Sequence, residues 1–313
     1  MTTADISSAN QPFRICPLYY FDSEIGDADI SDTIQMKRMP REVAEFLGKH
    51  NSELFVTMPV QTDWILLISR SSHPSASLGE ALKELDDLRE LLFNVQASLR
   101  LCHGGLVTIG PVINAVLRAG HWEDFVFEII IYTPFELMGD EDDSYLLKQS
   151  DIPDIRKFLK AIFDEVRIGH LHDLDIALSR FSKSYYGVNE DRLIDQTIAL
   201  ESLYIADDKE LRYKLALRTA FFIGTVETRE RIFNDIKKVY DLRSDIVHGT
   251  NADRPTLNEL LPKNEDYLRQ SLRKFILLIS QGNSVRNIRD QLDKHILTNG
   301  QTLIDHGSIP EPE

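Results

Sequence analysis

Arg243 and His248 stand five residues apart at the end of one long helical pattern, and Glu201 lies within another. Arginine carries a permanent, fork-shaped charge suited to anionic oxygens, and an imidazole exchanges protons near neutral pH. Projecting Glu227–His248 at about 100° per residue from Ile232 places Arg243 at about 20°, amid Ile236, Val239, Tyr240, Ile246 and Val247. On Glu190–Ile205, projected from Ile194, Glu201 falls at about 340°, also central to an apolar stripe. Removing an ion from water costs on the order of several kcal/mol, so each of these charges must meet a partner, a wet cleft or a polar ligand. The plainest expectation is that Glu201 and Arg243 pair across neighbouring helices. A sharper one adds His248, beside Ser244 and three residues after Asp245, at the negative end of the helix dipole, a setting for proton exchange. Because His248 lies about 140° around the helix from Arg243, the two share a cleft only if the arginine reaches sideways or a second copy of the helix packs against the first.

The elements that hold these residues form a helical C-terminal half. Apolar spacing predicts helices over Ile152–Val166, Leu171–Tyr185, Glu190–Ile205, Glu210–Ile223, Glu227–His248, Glu265–Gln281 and Val285–Leu297, separated by short polar breaks. Gly249 directly after a long periodic segment, with Pro255 beyond it, marks a helix stop. The first half mixes β-type runs (ELFVTMPV, DWILLIS, LVTIGPVI and FVFEIIIYTPF) with one helix from Leu78 to about Leu101, whose leucines and Val95 make one stripe. The expected fold is an α+β N-terminal domain followed by an all-α bundle, with residues 1–147 as the first domain, 148–300 as the second and 301–313 as a frayed tail.

Charge separates the halves as well. Up to Leu147 there are 10 basic and 23 acidic residues, and after it 25 and 27, so an RNA or DNA partner belongs to the second half. The acidic GDEDDS run, Gly139 to Ser144, suits a linker or loop tip between them. With 42% hydrophobic and 27% charged residues over 313 positions, the chain is of ordinary globular composition, which excludes wholesale disorder, collagen-like repeats and a rod. No apolar run is long enough to span a bilayer and MTTADISSANQPF lacks a secretory pattern, so a cytoplasmic location is expected. Cys16 and Cys102 then read as reduced, buried thiols.

The segment VYDLRSDIVHG, with ALESLY and RTAFFIG before it, resembles the Apea-like branch of the HEPN superfamily over roughly residues 150–298. That resemblance implies a helical bundle that dimerises, with Arg243 and His248 as the signature Arg-x4-6-His pair, Ser244 as the polar residue after the arginine, Gly249 as the helix-ending glycine and Glu201 as the glutamate of an ALExL-type helix. Asp245 stands where relatives would carry a neutral or basic residue. It further implies a metal-independent endoribonuclease of phage defence or stress response, in which histidine takes the proton of an RNA 2′-hydroxyl and arginine holds the scissile phosphate. No cofactor and no metal are expected. The first half then becomes a sensor or regulatory domain for an unknown ligand or protein. The opposing expectation is a non-catalytic HEPN module that serves dimerisation or binds RNA or a partner as a scaffold; the near-neutral charge of the bundle favours it.

Other constellations carry less. Arg167/His172 and Arg289/His295 match the same bare spacing. HLHDLD, His170 to Asp175, has metal-binding residue types, but Asp173 and Asp175 read as ordinary first-turn acids. CHGG at Cys102 and His103 reads as a glycine turn rather than a thiol–imidazole pair. No phosphate-loop, dinucleotide-binding or nucleophile-elbow motif occurs.

Overall fold

The computed structural model describes residues 11–54, 62–70, 77–128, 144–166, 172–207, 209–249 and 253–298. The chain divides into two compact units, one reaching Lys157 and the other starting at Phe158. The division falls inside a helix, later than the acidic run at 139–144, most of which lies outside the described residues. Parts of ELFVTMPV and FVFEIIIYTPF, together with Arg167, His170 and the tail 301–313, lie outside them as well.

In the first unit the strands are β1 (Gln11–Tyr19), β2 (Phe21–Ser23), β3 (Ala28–Asp29), β4 (Ile34–Arg38), β5 (Trp64–Ser69), β6 (Thr108–Ile109), β7 (Val112–Arg118), β8 (His121–Glu128) and β9 (Tyr145–Leu147), with helices α1 (Arg41–Leu54) and α2 (Leu78–Cys102). The main sheet runs β3-β4-β5-β1-β7-β8, with β6 also on β1, and these pairs are antiparallel. Strands β2 and β9 form a small parallel pair. Alternate residues Ile15, Ile65, Leu67, Ile113 and Ala115 share one face and pack on Val43, Phe46 and Leu47 of α1, as the period of two demands. Neither β1 nor α1 is among the elements expected from the sequence, although Val43, Phe46 and Leu47 have helical spacing. Pro12 and Pro17 interrupt the strand pattern, and Glu53 and Leu54, read as the start of a strand, instead close α1.

Helix α2 begins at a Ser77 cap that accepts from the Glu80 amide at 3.3 Å. Its predicted stripe is only half used: Leu78 and Leu82 are exposed, and burial sets in at Leu88. Cys16 is buried as expected, whereas Cys102 is half-buried, because it is the last residue of α2 rather than part of its packed face.

The helices that follow are α3 (Asp151–Val166), α4 (His172–Lys183), α5 (Asn189–Tyr204), α6 (Leu211–Ile223), α7 (Arg229–Val247), α8 (Arg254–Ser280) and α9 (Val285–Leu297). All but α8 agree with the periodicity to within about two residues at each end. Helix α8 starts at Arg254, well before Glu265, because Pro255 opens it behind an Asp253 cap and Pro262 is tolerated on its exposed side. Leu193, Val239, Leu242, Leu257, Leu260 and Leu261 form a core shared by α5, α7 and α8. Buried polar groups in this core bond one another: the Tyr204 hydroxyl donates to Ser271 at 2.7 Å, Asn264 to Gln196 at 3.0 Å and Tyr267 to Asp235 at 2.9 Å. Among the described residues, no helix is long and apolar enough to cross a membrane.

The turn from α6 to α7 depends on Gly224, where an added Cβ would lie 2.5 Å from the Ala220 carbonyl oxygen and 3.0 Å from Ile232. A backbone atom cannot swing aside, so Gly224→Ala is expected to lower stability by about 1–3 kcal/mol, the range for overpacking. Urea unfolding followed by the helical signal checks this; an unchanged midpoint would contradict it.

Candidate functional site

Arg243 is half-buried and lines an open groove of about 700 Å³ in the second unit. Ile176 of α4, Ile198 of α5, Ile205 just after α5 and Leu211 of α6 give the groove its apolar wall. Its polar groups are Glu201 and Ser202 of α5, Asp207 in the α5–α6 turn, and Tyr240 and Arg243 of α7. The structure thus brings Glu201 and Arg243 to one groove, as their places on two apolar stripes imply. The two do not form an ion pair: neither residue has a salt-bridge partner among the described residues, and they interact at longer range.

The electrostatics follow from that separation. Burial raises the Glu201 carboxyl above the ordinary glutamate value, and the charge of Arg243 pulls it back in part. Tyr240, one turn before Arg243, is also raised, first by burial and then by the Glu201 charge. The Arg243 guanidinium lies 6.0 Å from the centre of the Tyr240 ring, the outer limit of a cation–π contact. Its Nε is sealed from solvent with no acceptor among the described residues. Leaving such a donor unmatched costs about 1–3 kcal/mol, so this cation is held without full compensation. Asp207 is different: Lys214 donates to both its oxygens, at 2.7 and 3.0 Å, and holds its carboxyl below the usual range.

The end of α5 that carries Glu201 is fixed from outside. Buried Arg289 of α9 donates to the Leu203 carbonyl at 2.8 Å and to that of Ser202, and pairs with Asp173 at 3.0 Å. Arg218 of α6 donates to the Tyr204 carbonyl at 2.5 Å while gripping Asp293. Two guanidiniums thus occupy carbonyls that α5 leaves unmatched at its C-terminus, where a positive charge also suits the dipole. Arg289 is therefore a structural tie, although it matches the same spacing as Arg243. Its companion His295 sets Nε2 against Arg229 at 3.5 Å and its ring edge-on to Phe221.

His248 caps α7, its amide donating to the Ser244 carbonyl at 3.0 Å, and Gly249 follows with φ at +69°. The imidazole is exposed and does not line the Arg243 groove. Ser244 is half-buried and Asp245 exposed. A single chain therefore places the arginine in a groove and the histidine outside it, as their angular separation requires.

Neither Asp207 nor Tyr240 stands out in the sequence as a groove residue, since Tyr240 fits the apolar stripe and Asp207 reads as part of a polar break. Another missed grouping lies in the first unit, where His103 faces Asp151 Oδ2 at 3.1 Å and the Gly104 carbonyl at 2.9 Å, and stacks on Tyr145 at 4.2 Å. It clasps the end of α2 to the start of α3. Among the described residues, no three His, Cys, Asp or Glu side chains are grouped to hold a metal. No protein-family model, no curated protein and no solved structure matches the chain.

A carboxyl raised by folding holds its proton more tightly in the folded chain. Its contribution to stability is thus present at low pH and lost as pH rises through its folded value, which lies above 4.5. Compared with Glu201→Gln, the wild type should lose stability across that interval and level off above it. Urea unfolding of both proteins from pH 4 to 8 tests this, and a pH-independent difference would contradict it.

Proposed function

We propose that the second unit is a HEPN-type, metal-independent endoribonuclease that works as a homodimer, with Arg243 and His248 as its catalytic residues. The observation that carries this reading is Arg243 itself, a cation at a groove with no ion-pair partner among the described residues, five residues before an exposed imidazole at the helix end. An RNA phosphate supplies the anion that the guanidinium lacks. Two copies packed through their α7 ends would bring the His248 of each chain to the Arg243 groove of the other, one guanidinium and one imidazole to each composite cleft.

In each cleft the imidazole takes the proton of the 2′-hydroxyl, the 2′-oxygen attacks phosphorus, and the bond from phosphorus to the 5′-oxygen breaks. Water gives a proton to the departing 5′-oxygen and the imidazolium returns its own to solvent, so the proton count balances. Arg243 stabilises the charge that builds on the phosphoryl oxygens. The products are a 2′,3′-cyclic phosphate end and a 5′-hydroxyl end. Ser244 and Asp245 flank the arginine and histidine and support the helix end, while Glu201 sets the charge of the groove. A place in phage defence or stress response, with the first unit as sensor, accords with the HEPN resemblance.

A second reading, a non-catalytic dimerisation or RNA-binding scaffold, draws on one observation: Glu201 and Asp207 put carboxylates on the wall that a phosphate must approach.

Incubation of purified wild type and His248→Ala with structured and single-stranded RNA in EDTA separates the two. Cutting by the wild type, with cyclic phosphate ends, that falls by at least about a hundredfold in the variant supports the nuclease, since positioned acid–base groups contribute that much. No cutting, or equal cutting by both, removes the assigned site.

A further inference from the structure

The Arg243 groove does not end at Tyr240. A second open depression of about 710 Å³ shares Leu211 and Tyr240 with it and continues between α6 and α7 past Tyr213 and Lys237. Aromatic and cationic side chains alternate along this extension. Tyr213 is 54% exposed, a large ring left in solvent on a helix whose Phe222 is buried and Phe221 half-buried, and it is braced edge-on by Phe233 at 5.7 Å. Lys237 lies over the Phe233 ring at 5.1 Å and has no carboxylate partner among the described residues.

The carboxylates nearby are mostly matched. Asp241 pairs with Arg212 at 2.5 Å, and Asp207 with Lys214. Glu210 also lines the extension and has no salt-bridge partner among the described residues. The extension thus offers an exposed ring, an available ammonium and the unmatched carboxylate of Glu210, leading to the available guanidinium of Arg243.

We propose that the α6–α7 extension is a subsite for single-stranded RNA, in which a base next to the phosphate at Arg243 stacks on Tyr213 and Lys237 meets the neighbouring phosphate. This rests on the reading of Arg243 as a phosphate-holding residue. Every base has a π-face, and an exposed ring flanked by cations is the recurring platform for single strands. A duplex keeps its bases stacked on one another and cannot use such a ring, so the subsite selects unpaired RNA. An acidic peptide would use Lys237 and Arg243 but gain little from Tyr213.

The test measures binding of a fluorescent single-stranded 12-mer and of its duplex to the full chain carrying His248→Ala, with and without Tyr213→Ala or Tyr213→Phe. Tyr213 is exposed, so its truncation leaves the fold intact. The single strand should bind more tightly than the duplex, Tyr213→Ala should weaken it by about five- to a hundredfold, and Tyr213→Phe should retain it, as loss of one stacked base predicts. Equal affinity in Tyr213→Ala, equal affinity for duplex, or no binding would each overturn the subsite. Cleavage by the otherwise wild-type chain is read separately. Cutting that needs His248 but ignores Tyr213 leaves the nuclease standing without the subsite, and Tyr213-dependent binding without cutting leaves the subsite standing without the nuclease.

Discussion

A guanidinium cannot be drawn partly out of water unless something answers its charge. Arg243 sits in the apolar stripe of α7, where the α5–α7–α8 core forces the helix to present that face inward. Its Nε is sealed, no carboxylate among the described residues touches it, and Glu201 answers at longer range from a site where burial itself resists ionisation. A direct surface ion pair would be worth about 0–1 kcal/mol, less than the desolvation cost on either partner. The arrangement is therefore poor as a stabilising device and well suited to an anionic ligand that arrives from solvent.

The scaffold around this charge is built to keep it in place. Arg218 and Arg289 hold the last carbonyls of α5 and so fix the end of the helix that carries Glu201. Gly224 lets α7 turn tightly away from α6, and Gly249 ends it in the left-handed region that glycine adopts without strain. Between these glycines the register of α7 is set by Ile232, Ile236 and Val239, all buried. That register places Arg243 at the groove and leaves His248 outside it. The division of the two residues between a groove and an exposed helix end is thus a consequence of helical geometry, and it makes a second chain part of the proposed chemistry.

The bundle helices were legible because burial on one face imposes a period near 3.6, and the stripe of α7 exposed its one misplaced cation. Glu201 was legible for the same reason. The pairing inferred from those two positions was not an ion pair, since periodicity gives a direction around each helix and no distance between helices. The first turns of α8 were hidden by Pro255 and Pro262, residues that usually end helices and here lie at its second position and on its exposed side. Strand β1 was hidden by its prolines, and the stripe of Val43, Phe46 and Leu47 in α1 was passed over beside the β-type residues that follow it. The groove wall could not be read at all, because Asp207, Leu211 and Tyr240 come together through the turn between α5 and α6 rather than through any local pattern.

The central claim is that one chain supplies the guanidinium and another the imidazole of a single working cleft. Mixing purified Arg243→Ala with His248→Ala, each inactive alone, tests it most directly. Random exchange makes half the dimers mixed, each with one complete pair, so RNA cleavage should return to about a quarter of the wild-type rate. A mixture as inactive as its components, after exchange of subunits has been verified, would contradict the claim.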